Sequence, residues 1–363
     1  MSDRRASIVF LLLLVTLGPA VGAFAAELLP SELCGNFFLV PIELRGDDGR
    51  RLWMLLDTGA EHTVIDIASV RRMTGKSPRS GRKVSIRDAT AGPLRIHKLT
   101  ARAHDIAHLS VALGRPIDGI LGYDTFKGML LTLDYLEGEV RVDSGRLPDA
   151  DGKEIFALRG KKRPYLQLTI EGEEIIVLID SGSGSSLTIS PRELPWQVPP
   201  RIVGAYARFK SIELREAGRL AGTVLLGPTL LDDPIVELTD DVQLIGTAVL
   251  KHFRLTIDVD GRRMRMEPEQ DGTLRLPPSR GTGALAGPQD GQLEILKLVS
   301  GGPAEGAGLE PGDVILEIDG LDVRRQGCER RNRDDAELEK VTYRIRRNGK
   351  TFDVEVPLVD LVP

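Results

Sequence analysis

Two aspartates in this 363-residue chain stand in near-identical surroundings. Residues 52–65 read LWMLLDTGAEHTVI, and residues 175–189 read IIVLIDSGSGSSLTI. Each stretch is an apolar, β-prone run ending on an aspartate, Asp57 or Asp180. A hydroxyl residue (Thr58 or Ser181) and then a glycine (Gly59 or Gly182) follow. Ordinary composition yields about 0.2 copies of an Asp-Ser/Thr-Gly triplet in a chain of this length, so one copy after a strand says little. Two copies in matched settings say much more. Carboxylates held about 3 Å apart cannot both ionise readily and come to share one proton. The ionised member then acts as general base on a water, while the protonated member hydrogen-bonds a carbonyl. Whether Asp57 and Asp180 meet depends on the elements that carry them.

Those elements repeat. Ile120-Leu121-Gly122 corresponds to Leu244-Ile245-Gly246, and LLTLDYLEGEVRV (130–142) to RLTIDVDGRRMRM (254–266). Asp57 and Asp180 lie 123 residues apart in sequence. Gly122 and Gly246, and likewise Asp134 and Asp258, are each separated by 124. Three matches in one order at a nearly constant offset mark a duplication. Both halves consist of short Leu-, Ile- and Val-rich runs between Gly, Asp and Pro turn signals, the signature of strands. Leu136-Glu137-Gly138 and Asp260-Gly261 read as hairpin turns. Asp134 and Asp258 therefore read as hairpin aspartates, and Asp66–Met73 as one short helix.

On LLDTGAEHTVI, LIDSGSGSS and the two later apolar-apolar-Gly elements, residues 36–268 resemble the pepsin-like and retropepsin-like aspartic peptidases. The resemblance implies a mainly β fold of two duplicated acid-protease barrel lobes, with Asp57 and Asp180 meeting on a pseudo-twofold axis. It also implies that the Thr58 and Ser181 hydroxyls brace the two loops across the lobe interface. Gly59 and Gly182 would let backbone N–H groups approach the carboxylates. The activity implied is endopeptidase action on peptides or proteins, with no metal or other cofactor. Since both aspartates lie in one chain, a monomer suffices. A silent peptide-binding protein on the same lobes is the alternative. Covering hairpins are expected at Arg87–Pro93 and Ala217–Gly222.

Composition shifts at 277–283, LPPSRGTG in context, which reads as a linker. Beyond it, Ser300-Gly301-Gly302-Pro303-Ala304, Ala307-Gly308-Leu309 and Pro311-Gly312-Asp313-Val314-Ile315 resemble a bacterial PDZ domain. Such domains bind an extended peptide by strand addition, with backbone N–H groups receiving a C-terminal carboxylate. The resemblance places that contact at Gly283, Ala284 and Leu285. The organisation expected is a signal peptide at 1–25, lobes at 26–150 and 151–276, the linker at 277–283 and the PDZ domain at 284–363.

Arg4 and Arg5 precede an apolar run from Ile8 to Leu17 and the small-residue pattern Ala23-Phe24-Ala25. That is a secretory signal, so export to a periplasmic or extracellular space is expected, with no membrane span after cleavage. Net charge is −5 with the signs mixed, which argues against a nucleic-acid partner. The basic run Arg324–Arg333 is interrupted by Glu329 and reads as a solvated loop. Gly182-Ser183-Gly184 has Leu187 where a dinucleotide fingerprint needs its third glycine, and no G-x-S-x-G elbow is present. His104 and His108 lack the glutamate of a zinc-protease helix. Cys34 and Cys328, the two cysteines, could pair in an oxidising compartment, but they fall in different expected domains and two free thiols are the default reading.

Overall fold

The computed structural model describes residues 26–44, 51–207, 212–325, 327–328 and 338–363. The signal segment 1–25 and most of the basic run 324–333 lie outside the described residues. The architecture is mainly β, with two related lobes and a PDZ-type sheet.

In the first lobe the sheet order is Glu32–Cys34, Phe37–Leu44, Arg51–Asp57, Gly119–Gly122, Val64–Asp66, Leu94–His104, Lys83–Ala91. It closes on itself where Glu43 and Leu44 pair with Thr90 and Ala89. Alternation drives the closure: Phe38, Val40, Ile42, Met54 and Leu56 all point inward and are buried. A short helix, Ile67–Thr74, is capped by Asp66, whose carboxylate accepts from the Ser69 N–H. The second lobe repeats the plan around Tyr165–Ile170, Glu173–Ile179, Leu187–Ile189 and Leu244–Ile245. It adds the long hairpin Trp196–Ala207 and Ile212–Leu220.

The lobes share a third sheet. Its order is Glu27–Leu29, Glu139–Asp143, Leu130–Asp134, Phe253–Asp258, Arg263–Pro268, Ile155–Ala157. At its middle, Leu130–Asp134 pairs antiparallel with its own repeat, Phe253–Asp258, and Thr132 stands opposite Thr256. Their hydroxyls are 3.0 Å apart. A residue paired with its duplicate lies on the pseudo-twofold axis. Leu131, Leu133, Leu255 and Ile257 are fully buried along this seam, and each such side chain contributes about 1.5–3 kcal/mol. One apolar core therefore runs through both lobes. Asp134 and Asp258 are the hairpin aspartates expected: they accept from the Glu137 and Gly261 N–H groups and from Arg254 and Arg146.

The last sheet runs Ala284–Gln289, Gln292–Leu298, Val314–Ile318, Lys340–Arg347, Lys350–Pro357, around buried Ile295, Leu309, Ile315, Ile345 and Val356. Its tight turn Asn348-Gly349 has positive φ at both residues, as a type I′ hairpin requires. Within the stretch read as a linker, Ser279–Gly281 forms a short strand paired with Val359–Val362. Leu361 and Val362 bury themselves against Val203, Ala217 and Ile235 of the second lobe.

Two expectations need correction. Cys34 and Cys328 are not separate thiols. They form a disulfide, Cα atoms 4.6 Å apart across 294 residues, inside an apolar cluster with Leu39, Leu55 and Ile120. The bond joins the start of the first lobe to the segment after Val314–Ile318. Nor does either proposed covering hairpin lie over the dyad. The Gly92-Pro93 turn sits against Pro30, at the end of the barrel where Glu43 pairs with Arg51. Asp57 is six residues further along that strand, about 20 Å away. Ala217–Leu220 is an inner strand flanked on both sides, with Ala217 and Leu220 buried.

Candidate active site

Each aspartate ends a strand that is held from beneath by the apolar-apolar-Gly element of its own lobe. Leu56 and Asp57 pair in parallel with Leu121 and Gly122. The Asp180 N–H donates to the Ile245 carbonyl at 2.9 Å. The chain then leaves each strand in a tight loop, and the two loops cross. Thr58 Oγ1 donates to the Ile179 carbonyl (2.6 Å) and accepts from the Ser181 N–H (3.0 Å). Ser181 Oγ donates to the Leu56 carbonyl and accepts from the Thr58 N–H, both at 3.0 Å. Four reciprocal bonds between fully buried hydroxyls and backbone clamp one loop to the other.

The clamp sets the carboxylates face to face, within hydrogen-bonding reach of one another. A methyl group at Gly59 would lie 2.5 Å from the Asp180 carboxyl carbon, and one at Gly182 would strike that of Asp57. Only glycine fits at either place. The Ala60 N–H donates to Asp57 Oδ1 at 2.9 Å, and the Gly182 N–H to Asp180 Oδ1 at 2.9 Å. Both side chains keep a solvent-facing edge but are enclosed by protein on the other sides.

Burial raises both carboxyl groups above the usual aspartate range, and the charge on Asp57 lifts Asp180 further, well above it. The backbone N–H donors, and more weakly the Arg163 charge, pull the other way. The pair therefore keeps one shared proton to higher pH than a lone aspartate would, with Asp180 the more strongly raised member. The arrangement has a base, an acid and a solvent-facing edge where a water and a carbonyl could bind.

Three residues absent from the sequence reading border the dyad. Arg163 is half-buried, its guanidinium 5.3 Å over the Tyr165 ring. Lys162 reaches across to Glu61 of the Asp57 loop at 2.7 Å and holds that carboxyl below the usual glutamate range. His62 bridges Glu61 and Asp124.

Residues 40–125 match the family model described as aspartyl protease, and residues 294–327 that described as PDZ domain. The chain carries a retropepsin-like aspartyl protease domain and a PDZ domain. Over 83 residues, 21% of its length, it is 42% identical to a carboxyl-terminal-processing protease of Synechocystis sp.. That match covers 18% of the relative's own length.

In the PDZ domain, Ala284 and Leu285 begin the edge strand Ala284–Gln289, and Gly283 immediately precedes it. Gly283 has φ +78° and its carbonyl accepts from the Val299 N–H. Leu285 is buried, backbone included, while Ala284 is half-buried. This edge strand packs beside Trp196–Ala207 of the second lobe and Ala107–Leu113 of the first. No described helix is long and apolar enough to cross a membrane.

Proposed function

We propose that the protein is an exported aspartic endopeptidase that acts as a monomer, with its PDZ domain binding peptide segments of the substrate. The observation that carries this reading is the pair of facing carboxylates at the crossing of two clamped loops. Asp57 takes a proton from a water, and the water oxygen attacks the scissile carbonyl carbon. Asp180 hydrogen-bonds the carbonyl oxygen and gives it its proton as the tetrahedral species forms. The proton on Asp57 then passes to the amine as the C–N bond breaks. One hydroxyl of the tetrahedral species returns its proton to Asp180 as the acid's C=O re-forms, restoring the singly protonated pair. The chemistry requires no metal. A disulfide buried between the first lobe and the PDZ domain favours an oxidising compartment. PDZ domains take an extended peptide by strand addition; the edge strand beginning at Ala284 is the candidate, and a peptide there would have to share it with the packed segment Trp196–Ala207.

The test incubates full-length mature protein with a diverse peptide mixture across about pH 3–8, with and without a statine-type inhibitor. Inhibitor-sensitive cleavage lost in Asp57→Asn and in Asp180→Asn is the expected outcome. Turnover that needs zinc, or that survives in either variant at about a tenth of wild type, would assign catalysis elsewhere. Peptide binding without cleavage would make the chain a silent receptor.

A further inference from the structure

The two lobes differ at one pair of equivalent positions beside the dyad. In the first lobe Leu39 stands opposite Leu55, so two residues on, Phe37 stands opposite Asp57. In the second, Tyr165 stands opposite Leu178, and the Ile179 N–H donates to the Pro164 carbonyl at 2.9 Å. The same count places Arg163 opposite Asp180. Residues opposite one another on antiparallel strands project to the same face. Phe37 and Arg163 therefore flank the two carboxylates as pseudo-twofold counterparts.

Both are half-buried. The Phe37 ring extends toward the Asp180 loop, where a methyl on Gly184 would touch it at 3.4 Å. On the other side, Lys162 already neutralises Glu61. Arg163 has no carboxylate within 4 Å among the described residues apart from its long-range attraction to the dyad and Glu61. A half-buried guanidinium beside the dyad, with no ion-pair partner among the described residues, can receive a carboxylate.

Resting on the peptidase reading above, we propose that the cleft has unlike walls. Arg163 selects an Asp or Glu side chain on one side of the scissile bond, and Phe37 an apolar side chain on the other. A strictly symmetric pair of lobes would present the same wall twice.

Matched peptides differing only in Glu against Gln at the selected position, found by mapping cleavage sites in a peptide mixture, read this directly. Wild type should favour Glu about tenfold in kcat/KM, and salt should shrink the ratio. Arg163→Gln should bring the ratio near one, and Arg163→Glu should turn the preference toward Lys. Dyad-dependent cleavage with no acidic preference, or one unchanged in both variants, overturns the inference and leaves the peptidase reading intact. If wild type cleaves nothing, the peptidase reading fails alone, because binding still reads the cleft. Asp180→Asn protein that binds the Glu peptide about tenfold tighter than the Gln peptide, and loses this with Arg163→Gln added, supports the inference. Equal binding overturns it.

Discussion

Thr58→Val is the perturbation that most directly tests the loop clamp. Valine has nearly the shape of threonine, so the change opens no cavity, but it removes a hydroxyl that makes two bonds across the lobe interface. The Ile179 carbonyl loses its donor at 2.6 Å and the Ser181 N–H its acceptor at 3.0 Å. Thr58 and Ser181 are 0% and 1% exposed, so water cannot replace the lost partners. Each orphaned buried group costs about 1–3 kcal/mol, giving roughly 2–6 kcal/mol for the pair. Urea unfolding followed by tryptophan fluorescence measures this, in an Asp180→Asn background to prevent self-digestion. Thr58→Ser, which keeps the hydroxyl, should lose less than about 1 kcal/mol. In otherwise wild-type protein, a dyad loosened by 1 Å should cost about 100-fold in kcat. If Thr58→Val unfolds within about 0.5 kcal/mol of its parent, the clamp does not hold the loops.

Two further outcomes follow from the site and the disulfide. Between the ordinary aspartate pKa and the raised native one, the folded state binds more protons than the unfolded, so the dyad lowers stability as pH rises through that window. Asp180→Asn should therefore melt higher than wild type at pH 7, with the gap closing below the model-peptide value of 3.8; a gap that widens in acid would reverse the assignment. Replacing Cys34 and Cys328 together by serine opens a loop of 294 residues, which chain entropy values at about 6 kcal/mol. Non-reducing and reducing peptide maps establish the bond, and a loss in urea unfolding below about 1 kcal/mol would show that it adds little.

The duplication made the dyad legible. The aspartates, hydroxyls and glycines occupy matched positions because the twofold axis needs two copies of each, and a constant offset survives in the sequence. The same offset foretold Asp134 and Asp258 as hairpin residues. Other features left no such trace. Turn residues at Gly92-Pro93 announce a hairpin but not which end of the barrel it occupies, and that end is fixed by the pairing of Glu43 with Thr90. The approach of Cys34 to Cys328 is set by the docking of the PDZ domain, a long-range outcome without a local pattern. Arg163 lies in a polar run, and only the ladder register places it opposite Asp180.

The seam between Leu130–Asp134 and Phe253–Asp258 bears on how the chain is made. When the first lobe has been synthesised, its LLTLD strand still lacks a neighbour, and the neighbour is encoded more than a hundred residues later. At ordinary translation rates the wait is on the order of 10 s. Throughout it, an apolar strand edge stands open. Because Thr132 sits opposite its own duplicate, the missing partner has nearly the same shape as the strand already present. Two unfinished chains can join along that edge and mimic the finished molecule, a false dimer in which each first lobe takes the place of the other's second. Speed through residues 144–252, or a chaperone covering the edge, then decides how much product is correctly assembled.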